Sequence, residues 1–132
     1  MLIASKVRWF LWYWLPTLVY CIFIFALSSF SEPFPTPSFS GADKVFHGIE
    51  YAIFGLLLAR SVYHTNLRLT FRSLALVVIA LAILYGISDE IHQVFVAGRI
   101  ASSWDVLADG LGSVLGVLCY IRISRTHHKP RY

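Results

Sequence analysis

Fourteen consecutive residues, Leu74 to Ile87, carry no charge, and Asp89, Glu90, His92 and Gln93 then follow within a single turn and a half. As a helix those fourteen residues rise only about 21 Å at 1.5 Å each. The hydrocarbon core of a bilayer is about 30 Å thick. A span built on this run must therefore take in "SDEIHQVF" (88–95), and Asp89 falls in the outer third of the hydrocarbon. An ionisable side chain costs about 2.5–3.5 kcal/mol at mid-span and less near the interface. The strongly apolar residues of the run return only about 0.3–0.6 kcal/mol each. The polar turn must then face other protein or water rather than lipid.

Composition agrees with a membrane chain. Of 132 residues, 58% are hydrophobic and 14% charged, against about 25% charged in a soluble domain. Four windows are long enough to span: Trp9–Ser29, Val45–Tyr63, 73–96 and Trp104–Ile123. The first is longer than the about 7–15 apolar residues of a secretory signal, so it is expected to be retained. The segment 31–42, "SEPFPTPSFSGA", reads as a loop because prolines break a helix. Residues 64–72 and 97–103 read as short turns, and 124–132 as a basic tail. Cys21 and Cys119 lie inside apolar runs and read as small core residues rather than a disulfide.

Charge sets the orientation. Lys6, Arg8, Arg60, Arg68, Arg72, Arg122, Arg125, Lys129 and Arg131 flank both termini and the second loop, while the other loops hold only Lys44 and Arg99. The positive-inside rule makes both termini cytoplasmic. The net charge of +4 is thus spent on orientation, with no basic patch for nucleic acid, and the tail is expected to touch anionic inner-leaflet lipids. The expected architecture is an all-α integral membrane domain covering residues 1–132, with four antiparallel transmembrane helices. It would cross the cytoplasmic (inner) membrane several times.

Three polar turns then meet at the outer-leaflet side. Asp43, His47 and Glu50 are spaced by four and three and share a helix face. Asp105 and Asp109 share another, which Gly112 and Gly116 continue as a close-approach GxxxG step. Asp89 and His92 share a face with Tyr85, and Glu90 points about 100° away. The stripe Gly48, Ala52, Gly55, Ala59 reads as a helix-packing face. The expected product is a polar pocket open outward and floored by packed glycines.

The stretches "DKVFHGIEYAIFGLLL" and "ISDEIHQVFVAGRIASSWDVLADGLGSVLG" resemble the VanZ-like membrane protein family, over residues 28–118. The similar features are a DKxxHxxxY helix start, an SDExHQxF turn, a GR loop, a D-x-x-x-N/D-x-x-G helix and the "SS" closing the first span. The resemblance implies a cell-envelope protein with a link to teicoplanin antibiotic resistance. It marks Asp43, Lys44, His47, Tyr51, Ser88, Asp89, Glu90, Gln93, Arg99 and Asp105 as characteristic positions, and His92 also fits. Two departures stand out: Ala97 where proline is usual before the glycine, and Asp109 where asparagine is common.

The sequence supports several functions. One is an enzyme acting on a membrane lipid or lipid-linked precursor at the outer leaflet. Asp43, His47, Asp89, Glu90, His92 and Asp105 are then catalytic candidates, with a histidine as general base and a carboxylate orienting it. Lys44, Glu50, Tyr51, Ser88, Gln93, Arg99 and Asp109 are substrate-binding candidates, with Arg99 and Lys44 suited to phosphate. A second is a non-catalytic binder of a lipid or of lipidated teicoplanin, and a third is a structural cluster that holds helices in register. A metal held by the pairs His47/Glu50 and Asp89/His92 is a weaker reading, since such spacings arise by chance; no metal is assigned. A transporter would want an inverted repeat, which the chain lacks. Cofactor and oligomeric state stay open.

Overall fold

The computed structural model describes residues 2–31, 41–65 and 67–127, which form helices α1 (Leu2–Tyr13), α2 (Leu15–Ser28), α3 (Ala42–Tyr63), α4 (Phe71–Gln93) and α5 (Ser103–His127), with no strand among them. Three helices (α3, α4 and α5) are long and apolar enough to cross a membrane, or four spans result if the bent pair α1 and α2 is one. Their outer faces carry apolar side chains such as Leu76, Leu84 and Leu115, which is costly in water and neutral in acyl chains. The chain is built as a multi-pass membrane protein.

The first span differs from the continuous helix expected over 9–29. In its place stand two helices, α1 from Leu2 and α2 to Ser28, bent by 42° at the break between them. The cause is Pro16, which has no N–H to give the carbonyl of Trp12. Instead, the Arg60 guanidinium donates to Trp12 O at 2.7 Å and the Ser61 hydroxyl donates to Tyr13 O at 2.7 Å. Arg60 also stacks its guanidinium 4.9 Å from the Tyr13 ring centroid, and Thr17 Oγ1 lies 2.7 Å from Ser61 Oγ. The bend is thus held by α3. Arg60→Met is expected to cost about 1–2 kcal/mol, from one charged hydrogen bond and a cation–π contact. Thermal denaturation in detergent would read this, with Arg60→Lys intermediate.

Other boundaries shift for local reasons. α3 begins at Ala42 because Gly41 takes a left-handed φ of 85° at its N-cap. α4 starts where the Thr70 hydroxyl accepts from Ser73 N at 3.2 Å, and it stops at Gln93, short of the expected Val96, where the chain enters turns. α5 continues to His127, past the expected start of the tail. Residues 32–40 of the predicted loop, Asn66 and residues 128–132 of the tail lie outside the described residues. His64, at the start of the turn over 64–72, stacks on Tyr13 with ring centroids 4.0 Å apart; burial, and secondarily Arg60, push its pKa below the usual imidazole value.

The core is the seam between α3 and α5, the most extensive helix pair, with α4 packed on both. Gly112 sits on the backbone of Gly48 and Ala52, and Gly116 on that of Ala52 and Leu56. A β-carbon on Gly55 would come within 2.7 Å of Ser113 O. Numbers rise together along this seam, so α3 and α5 run parallel. Glu90 meets Ser102 and Gly86 meets Asp109, so α4 runs antiparallel to α5. Likewise Thr17 meets Ser61 and Tyr20 meets Glu50, so α2 runs antiparallel to α3.

Candidate functional site

This register brings four helix ends to one place: the C-termini of α2 and α4 and the N-termini of α3 and α5. Of the chain's seven acidic residues, all but Glu32 collect here, and Glu32 lies outside the described residues. Lys44 Nζ reaches from α3 to Asp105 Oδ1 at 2.8 Å and also holds Asp43 Oδ2 at 2.6 Å. His47 Nδ1 lies 2.9 Å from Asp109 Oδ1. Gln93 Nε2 donates to Asp89 Oδ2 at 3.0 Å, one turn back on the same helix. Glu90 Oε2 accepts from Ser102 N at 2.6 Å, at the start of α5, where an anion is favoured by the helix dipole.

Asp109 is 0% exposed. Gly86 makes room for it: a β-carbon there would lie 2.6 Å from Asp109 Oδ2. Several buried polar atoms nearby have no hydrogen-bond partner, among them Glu50 Oε1, Glu90 Oε1, Asp109 Oδ2, Tyr51 Oη and Ser28 Oγ. Each costs about 1–3 kcal/mol when left unmade. Buried groups of this kind take their partners from ordered water, an ion or a bound molecule.

A cavity of about 370 Å³ lies between α2, α3 and α4, within the size range of a small-ligand site. Asp43, His47, Glu50, Asp89, Gln93 and Arg99 line its polar part. Its apolar lining includes Phe23, Leu27, Phe46, Ile49 and Ile53, and all of these but Leu27 are exposed. The cavity thus joins ionisable side chains to apolar ones that are themselves exposed.

A family model described as VanZ/LLP1 matches residues 4–124. The chain belongs to the VanZ/LLP1 family. No curated protein and no solved structure matches it.

In this VanZ/LLP1 protein the predicted site residues separate into two groups. Asp43, Lys44, His47, Glu50, Asp89, Glu90, Gln93, Asp105 and Asp109 converge as described. Arg99 lines the cavity, but its Nε donates to Phe30 O at 3.0 Å and its Nη2 to Leu27 O at 3.3 Å. It therefore binds the C-terminal end of α2 as well as facing the cavity. His92 stands apart: its Nε2 is 3.1 Å from Ser29 Oγ and its ring is 4.4 Å from that of Phe25. It docks the end of α4 on α2 and does not line the cavity. Ser88 is exposed and donates to Tyr85 O one turn back. Tyr51 is fully buried against Phe54.

Sequence reasoning missed the share of α2. Tyr20, Phe23, Ile24 and Leu27 line the cavity, whereas the sequence placed the polar pocket on the other three spans alone. The available signal was the run of serines closing the span. Ser28 lines the cavity, Ser29 meets His92, and Ser31 Oγ donates to Ala97 O at 2.5 Å.

Proposed function

We propose that this VanZ/LLP1 protein crosses the cytoplasmic membrane as four antiparallel spans with both termini inside. It receives a lipid or lipid-linked headgroup at the outer face. The observation that carries this reading is the two-sided cavity: an acid-rich polar part joined to an apolar wall that lipid can reach directly. The distribution of lysine and arginine supports the orientation, because Arg60, Arg68, Arg72, Arg122 and Arg125 lie at the end opposite the acidic cluster.

The acids outnumber Lys44, Arg99 and His47, and Lys44 is already shared by Asp43 and Asp105. Such a site favours a headgroup that donates hydrogen bonds or carries positive charge over a bare phosphate. With His47 Nδ1 held by Asp109, Nε2 is the ring nitrogen free to take a proton from a bound hydroxyl. This is the arrangement of an oriented general base. A non-catalytic binder is the second reading. It is favoured by the engagement of Asp89 with Gln93 and of Asp105 with Lys44, which leaves fewer free carboxylates for chemistry. Either reading fits the teicoplanin resistance associated with VanZ-like proteins, since teicoplanin is itself lipidated.

The test compares envelope lipids and lipid-linked precursors by mass spectrometry in cells lacking the protein, cells with wild type, and cells with Asp89→Asn at matched folded levels. We expect a species that changes with wild type and reverts with Asp89→Asn. A change that tracks protein amount stoichiometrically would select the binder, and no change in any species would remove the lipid reading.

A further inference from the structure

Beside the cavity, His47 of α3, Glu90 of α4 and Asp105 of α5 each offer one ligand atom, and these atoms all lie within 4.8 Å of one another. Atoms so spaced share a point within about 2.8 Å of each, which is about 0.6–0.8 Å beyond the 2.0–2.2 Å of a zinc bond to nitrogen or oxygen. Small rotamer changes close that gap. This is a different set from the pairs the spacing suggested, and it takes one residue from each of three helices.

Two further observations point to a cation. Glu90 is only 7% exposed, and with Oε2 on Ser102 N its Oε1 is left buried and without a partner. His47 is held through Nδ1 by the fully buried Asp109. A carboxylate on the far nitrogen fixes the tautomer and orientation of a metal-binding imidazole, and such outer partners accompany most histidine ligands. Lys44 adds a third sign, because its ammonium already rests on Asp105 Oδ1, where the cluster draws positive charge.

We propose that His47, Glu90 and Asp105 bind a divalent transition-metal ion, Zn²⁺ or Mn²⁺, with Asp109 as the positioning residue behind His47; His47 Nε2 is then a ligand, and this site replaces the general-base role of that nitrogen. One imidazole and two carboxylates suit these ions by ligand type. Three protein ligands leave a coordination position open for water or substrate, the pattern of a catalytic rather than a structural site. Lys44 then competes with the ion for Asp105 and turns to Asp43 when the ion binds.

The test uses the full chain in detergent, stripped with chelator and titrated separately with Zn²⁺ and Mn²⁺ by calorimetry, with bound metal counted by elemental mass spectrometry. His127→Gln and His128→Gln are introduced throughout to remove the adjacent histidines of the C-terminus. We expect a single ion per chain. Asp109→Asn should weaken it by about 10–100-fold, as an outer-partner loss does, and Glu90→Gln and Asp105→Asn by more. His92→Gln should leave the affinity unchanged. Should Glu90→Gln fail to fold, Lys44→Met decides, since losing the competing ammonium should tighten binding. No ion on wild type, equal affinity in Asp105→Asn, or weaker binding in Lys44→Met would each overturn the proposal. Lipid chemistry does not enter these measurements, so the site stands or falls apart from the headgroup reading.

Discussion

Replacing Gly116 by valine is expected to leave almost no folded protein in detergent extracts. In an isolated helix this exchange would help slightly, because glycine is the poorer helix former by a few tenths of a kcal/mol. Here the first added carbon already meets backbone on α3: Ala52 O, and Leu56 N at 2.7 Å. Overpacking usually costs about 1–3 kcal/mol when side chains can yield. A backbone on a parallel, closely packed helix cannot yield, so the cost should exceed that range. Gly110→Ala is the control, because its β-carbon would stand an ordinary 3.5 Å from Ile83 Cγ1. Fluorescence-detected size exclusion should show a monodisperse Gly110→Ala protein and an aggregated or absent Gly116→Val protein. Equal folded yields would mean that the α3–α5 seam is not packed this tightly.

The second large effect is expected at His47. His47→Ala strands the Asp109 carboxylate, which is 0% exposed and has its other oxygen unpartnered. Removing one member of a buried pair typically costs about 3–5 kcal/mol, most of it from the charge left behind. The double variant His47→Ala/Asp109→Ala should therefore be more stable than His47→Ala alone. Denaturant or thermal melts of the four proteins form the cycle. If the two single losses simply add in the double variant, the pair is not coupled and His47 is not held by Asp109.

Local periodicity made much of the site legible. The spacing of Asp43, His47 and Glu50, and of Asp105 and Asp109, placed these groups on helix faces, and short connections brought the faces together. Gly112 and Gly116 were readable as a seam because only small residues permit such an approach. The parts that escaped depend on partners far along the chain. Pro16 is visible in the sequence, but the carbonyls it exposes are taken by Arg60 and Ser61, which no local pattern connects to it. His92 is three residues from Asp89 and was assigned to the same face. In the last turn of α4, however, that direction meets Ser29 and Phe25 of α2 rather than the cavity. Asp109 was read as a substrate contact, and the structure places it fully buried with Oδ1 2.9 Å from His47 Nδ1. Glycine at position 86, rather than any acidic spacing, is what gives that carboxylate its room.

In the proposed function an amphiphile lies with its polar part on the acid-rich end and its apolar part against Phe46, Ile49 and Ile53. Native mass spectrometry of the full chain released gently from membranes tests it most directly. We expect an adduct of lipid mass on wild type that disappears in Ile49→Trp, where the larger ring fills the cavity from an exposed position. Wild-type protein free of any adduct, or an adduct that persists undiminished in Ile49→Trp, would contradict it.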